Sequence, residues 1–200
     1  MTFRRSSGTV LAATTLASTT ATSINMTEAE MASVQVVYSN GAPAAKTFVD
    51  ADVHVVNNTI TEAAHTYVTG LKVAASTDGV LPGGLSATNY WVIRVDADTI
   101  KLASSLANAE AGTAVDITSA AGGGTHTLTP ATSASNVAKL QESNDGTNWS
   151  DVASMTVTIS TSAGAALWPV GTVASRYLRV LYTPSAGQVS LAIHTCTVTR

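Results

Sequence analysis

Charge is scarce in this chain. Of its 200 residues, 12% are Asp, Glu, Lys or Arg, about half of what globular domains usually carry. The formal net charge is -3. Nucleic-acid binders usually show a basic face, and the only local basic pair here is Arg4-Arg5, so no nucleic-acid partner is expected. Aromatic residues are also few, at 5%. Cys196 is the single cysteine, which excludes an intrachain disulfide. It lies between His194 and Val198 in an alternating stretch and reads as a small packed residue. No apolar run approaches the length of a membrane-spanning helix, so no membrane partner is expected. An export signal is rejected as well. The apolar stretch Thr9-Val10-Leu11-Ala12-Ala13 follows two arginines, but Thr14, Thr15, Ser18, Thr19 and Thr20 make it too polar for a signal core.

What fills the chain instead is Thr, Ser, Ala and Val. β-Branched Thr and Val suit strands, and Ser, Asn and Gly suit the turns between them. With 45% hydrophobic residues, a chain this long can bury a core without staples. The expected class is all-β: an antiparallel, jelly-roll-like β-sandwich with a small β-rich inserted domain and an extended N-terminal arm.

Residues 1–24 read as that arm. Thr27-Glu28-Ala29-Glu30 has the form of a capping box, and Met31 to Tyr38 reads as a strand ending at the turn signal Ser39-Asn40-Gly41. From about residue 47 the texture changes to short strand-like runs. Tyr90 to Val95 and Thr99 to Leu102 flank Asp96-Ala97-Asp98, the layout of a hairpin with a three-residue loop. Ser104 to Glu110 fits one or two helical turns with Gly112 just past the end. Ala114 to Thr118 and His126 to Thr129 read as strands, joined through Gly122-Gly123-Gly124.

The final third resumes the first texture. Val137 to Glu142 enters the turn Ser143-Asn144-Asp145-Gly146, and Met155 to Ile159 alternates with period two. Arg176 to Tyr182 and Gln188 to Ile193 flank Pro184-Ser185-Ala186-Gly187 and read as a hairpin. Strands 32–38 and 137–142 are expected to be hairpin partners once an insertion is removed. The division expected is therefore an arm at 1–24, a sandwich of 25–46 plus 131–200, and an inserted domain at 47–130, hinged at 42–45 and 130–135.

The inserted segment resembles a module found in many predicted tailed-bacteriophage virion proteins. The matching blocks are Leu81-Pro82-Gly83-Gly84-Leu85, Asn89-Tyr90-Trp91-Val92-Ile93, Ile100-Lys101-Leu102-Ala103-Ser104 and Gly112 to Thr118, followed by the glycine-rich stretch that ends in His126-Thr127-Leu128. The last third is similar to phage sandwich domains, through Ser143-Asn144-Asp145-Gly146 with Trp149 and through Arg176-Tyr177-Leu178-Arg179-Val180. Discoidin-like carbohydrate-binding domains use a comparable strand-turn-Trp pattern. The resemblance implies a structural protein of the virion, assembled in the host cytoplasm, that decorates or cements the capsid or builds the neck or tail. It implies other virion proteins as partners; with that reading a symmetric homo-oligomer, a trimer, is expected. The subunit-contact candidates are Thr9, Val10, Leu11 and Leu16 on the arm, and Trp168.

Few residues suggest chemistry. Asp50/Asp52 and Asp96/Asp98 are alternate carboxylates that could share a Ca²⁺, as could Asn144-Asp145-Gly146 with Asn148. Plain turn chemistry accounts for the same residues. His54, His65, His126 and His194 show no zinc-ligand spacing. No nucleophile elbow, phosphate loop or Ser-His-Asp spacing appears, so neither catalysis nor a cofactor nor a metal is expected. A glycan-binding module is the alternative reading, with Trp149 and Trp168 as sugar-stacking candidates and Trp168-Pro169 expected to be exposed.

Overall fold

Period-two alternation of small apolar and polar residues fixes which face of each strand turns inward. The computed structural model describes residues 4–26, 29, 31–120, 123–133, 135–172 and 175–199. It divides the chain into two compact units, one of Met1–Asn40, Ser133–Ser185 and Val189–Arg200, the other of Gly41–Thr132 and Ala186–Gln188. Along the chain, β1 (Arg4–Leu16), β2 (Thr20–Ile24) and β3 (Met31–Asn40) belong to the first unit. The second unit holds β4 (Lys46–Phe48), β5 (Val53–His54), β6 (Thr59–Thr61), β7 (Lys72–Thr77), β8 (Asn89–Arg94), β9 (Thr99–Ala103), the helix α1 (Leu106–Glu110) and β10 (His126–Pro130). The first unit then resumes with β11 (Asn136–Ser143), β12 (Ser150–Ile159), β13 (Gly164–Thr172), β14 (Tyr177–Thr183) and β15 (Val189–Thr199).

The first unit is a sandwich of two four-stranded sheets, ordered β1-β15-β3-β13 and β12-β11-β14-β2. Counted along this unit alone, the strands fall in the orders 1-8-3-6 and 5-4-7-2. All neighbours run antiparallel. This is the paired Greek-key order of a jelly roll. One core lies between the sheets. Val34, Val36, Trp168, Leu191 and Ile193 come from one sheet, and Leu140, Ile159, Leu178, Val180 and Tyr182 from the other.

Four expectations are corrected by this arrangement. Residues 4–24 do not form a separate arm. β1 pairs with β15 and β2 with β14, because their Thr- and Ser-rich stretches complete ladders, and Ala17 and Ile24 are buried. The stretches 176–182 and 188–193 are not hairpin partners, since β14 and β15 lie in different sheets. Their inward residues meet across the core instead. The same holds for β3 and β11, each of which ends beside other strands. Residues 114–117 form no ladder strand; their amides go singly to Leu102 O and to Asn58 Oδ1. Of the capping box at 27–30, only Ala29 lies within the described residues.

The second unit is one curled seven-stranded sheet, ordered β4-β10-β7-β8-β9-β6-β5. The hairpin β8–β9 forms as expected, with Arg94 opposite Ile100. The helix α1 starts at Ser105, whose Oγ accepts from Asn108 N at 3.1 Å. Gly112 follows it at φ +73°, a left-handed position that suits glycine. Leu71, Val73, Val92, Ile100 and Leu128 are fully buried. The Tyr67 hydroxyl, buried with them, donates to a backbone carbonyl in a cage formed by Ala44 O at 3.0 Å and Leu128 O at 3.1 Å. Burial raises its pKa.

Candidate functional site

The most structured polar surface is the turn between β11 and β12. Ser143-Asn144-Asp145-Gly146 is a turn because Asp145 captures the backbone that follows it. Its Oδ1 accepts from Thr147 N and Asn148 N, both at 2.7 Å, and from the Ser143 hydroxyl at 2.9 Å. Its Oδ2 accepts from Asn148 Nδ2 at 2.7 Å. These bonds, from Asn148 above all, hold the carboxyl well below the usual carboxylate range. Gly146 takes φ +74° beside the Tyr177 ring. A polar cleft of about 450 Å³ opens here, lined by Glu142, Ser143, Asn144, Asp145, Asn148, Ser150 and Ser175.

Trp149 sits at the rim of this turn, half-buried. The Arg179 guanidinium lies 4.1 Å from its ring centroid, a cation–π contact. Arg179 Nε donates to Gln141 Oε1 at 2.8 Å, Gln141 Nε2 donates to Asp151 Oδ1 at 2.7 Å, and Lys139 Nζ donates to Asp151 Oδ2 at 2.7 Å. Lys139 and then Gln141 hold the Asp151 carboxyl down. The strand register builds this network: Gln141 lies opposite both Arg179 and Asp151. The result is a polar face that can present hydrogen bonds and part of one aromatic ring to a ligand.

Trp168 takes no part in it. Its side chain is in the sandwich core at 5% exposure. The exposed Trp-Pro pair expected from the sequence is corrected, because Trp168 is on the inward parity of β13 and its neighbours Leu167 and Pro169 are outward. It is thus unavailable either to a sugar or to a subunit. Of the other contact candidates, Thr9 is exposed on β1, where its Oγ1 lies 3.2 Å from His194 Nδ1. Val10, Leu11 and Leu16 are partly buried against the core.

Of the paired acids, Asp52 and Asp96 hold local turns, whereas Asp98 and Asp50 tie down distant segments. Asp52 Oδ2 accepts from Val49 N, Asp96 Oδ1 from Asp98 N, and Asp98 Oδ1 from Ala64 N. No group of three His, Cys, Asp or Glu side chains among the described residues could hold a metal ion. No helix among them is long and apolar enough to cross a membrane.

One relay was invisible in the sequence. Thr77 Oγ1 lies 2.8 Å from His126 Nδ1, and His126 Nε2 lies 3.2 Å from Asp50 Oδ1. The order hydroxyl–imidazole–carboxylate resembles a catalytic triad, but its setting differs. The His126 side chain is 0% exposed, the Thr77 hydroxyl also accepts from Gly79 N at 3.0 Å, and Asp50 Oδ2 accepts from Gly123 N at 2.9 Å. The imidazole is enclosed, and the hydroxyl and the carboxylate each also hold a segment of backbone. The 76-residue separation of Asp50 and His126 offers no sequence signal. Only the pairing of β10 with β4 and β7 brings the parts together.

Comparison with protein-family models and with curated proteins gives no match.

Proposed function

We propose that the chain is a non-catalytic structural subunit of a tailed-bacteriophage particle, in the capsid decoration or cement layer or in the neck or tail. The observation that carries this reading is the resemblance of roughly residues 50–130, through the blocks between Leu81 and Leu128, to a module of predicted phage virion proteins. A jelly-roll body is compatible with it, as that architecture serves in viral capsids and in lectins alike, although fold alone decides no function. The low charge agrees with a protein that works by repeated contacts. Its partners would be other virion proteins and its own copies. Mass spectrometry of gradient-purified particles from the source virus tests the reading. The chain is expected at a stoichiometry matching a symmetric position. Its absence from intact particles overturns the proposal.

The second reading, a glycan-binding adhesion module, is favoured by Trp149 beside the polar cleft. It rests now on Trp149 alone. Sugar-specific binding on a glycan array that is abolished by Trp149→Ala would select it.

A further inference from the structure

The two outward faces of the jelly roll are chemically unlike. The β12-β11-β14-β2 face carries Lys139, Asp151 and Arg179. The opposite face, on β1-β15-β3-β13, is different. Its side chains can be read in rows from the strand register. One row is Arg5–Val198–Met31, the next Ser7–Cys196–Ser33–Pro169, the next Thr9–His194–Gln35–Leu167, and the last Ala192–Val37–Ala165. Asp, Glu and Lys are missing from these rows, and Arg5 stands at their margin on the edge strand. Leu167 projects at 64% exposure, Met31 at 50% and Val37 at 37%. Between the projections lie hollows floored by small residues. One of about 290 Å³ is bounded by Arg5, Met31, Cys196 and Val198. Another of about 190 Å³ is bounded by Ala13, Val37, Ala163, Ser190 and Ala192.

We infer that this face is the contact between two copies of the chain, packed sheet on sheet about a two-fold axis. Three observations select a second copy as the occupant. A two-fold contact sets a patch against itself, and this patch carries both halves of a fit, apolar knobs and small-residue hollows. Self-contact of a charged face costs repulsion, which these rows avoid. The area is also sufficient. Four strands about 4.8 Å apart, along nine residues at about 3.3 Å each, cover roughly 600 Å² per copy. Two copies then bury about 1,200 Å², at the lower end of specific interfaces. The inference stands on this face alone and does not require the virion reading.

Sedimentation equilibrium of the full chain from about 1 to 200 µM, which brackets a micromolar Kd, tests it. The weight-average mass should rise toward twice that of the monomer. Leu167→Lys and Val37→Lys, both outward and exposed, should each weaken association at least about tenfold, since each buries a lysine charge without a partner. Val56→Lys, at a valine that is 95% exposed in the other unit, should associate as wild type does. Unchanged circular dichroism of the variants ensures that the loss is one of contact. A monomer throughout the range overturns the inference. So does a trimer, or association that neither Leu167→Lys nor Val37→Lys weakens.

Discussion

Glu62 shows how one side chain can record its surroundings. It is buried, with Oε1 3.5 Å from Lys46 Nζ and Oε2 without a hydrogen-bond partner. Burial raises its carboxyl pKa more than Lys46 lowers it. An acid whose folded pKa exceeds its unfolded value stabilises the fold fully below the unfolded value, near 4.5, and loses that contribution as pH rises through the folded value. Glu62→Gln removes the titration while keeping an oxygen for Lys46. The variant should match or exceed the wild-type Tm at pH 7 and lose that advantage at pH 4, as read by thermal melts at both. An equal loss at both values would show that the carboxylate does not carry the effect. Little of this is legible in sequence, where Glu62 looks like a surface residue between Thr61 and Ala63. Trp168 fails for a related reason. Leu167 and Trp168 are adjacent apolar residues, so alternation permits either parity. The structure turns the larger ring inward, where its area removes more apolar surface from water.

Elements were easier to find than their partners. Most strand positions follow from period-two runs bounded by turn residues. Partnering does not, because an inward Leu178-Val180-Tyr182 is satisfied equally by a neighbour in its own sheet or by an opposing sheet. A short Pro184-to-Gly187 loop suggests a hairpin, yet in a jelly roll such a loop also crosses between sheets. The same ambiguity made the Thr-rich N-terminus look like an arm. As strands, residues 4–24 contribute Ile24 and Ala17 to the core and pack Val10, Leu11 and Leu16 against it. Burying a Leu or Ile is worth about 1.5–3 kcal/mol when complete. Ile24 with the partly buried leucines therefore represents several kcal/mol, a large share of a typical domain stability of about 5–15 kcal/mol. Deleting residues 1–24 should leave an insoluble chain or one without a cooperative thermal transition by circular dichroism. An arm would instead be lost without damage to the fold.

At the scale of the whole chain, the insertion was visible as a change of texture, and its boundaries were placed at 46 and 131. The compact units divide at 40/41 and 132/133, with Ala186–Gln188 also in the second; residues before 47 go with the second unit because β4 begins at Lys46 and pairs with β10, and Ala44 O meets the Tyr67 hydroxyl. The division carries its own geometric test. Asn40 Nδ2 donates to the Ser133 carbonyl, so the last residue of the sandwich before the insertion touches the first one after it. Closing so small a gap costs little loop entropy. Replacement of residues 41–132 by a short Gly/Ser linker should therefore give a soluble β protein. The jelly-roll core is drawn wholly from residues outside that segment. The expected result is a β-type circular dichroism spectrum and a single calorimetric transition. If the spliced chain stays unfolded while the full chain folds, the sandwich depends on its insertion, and the two units are one cooperative body.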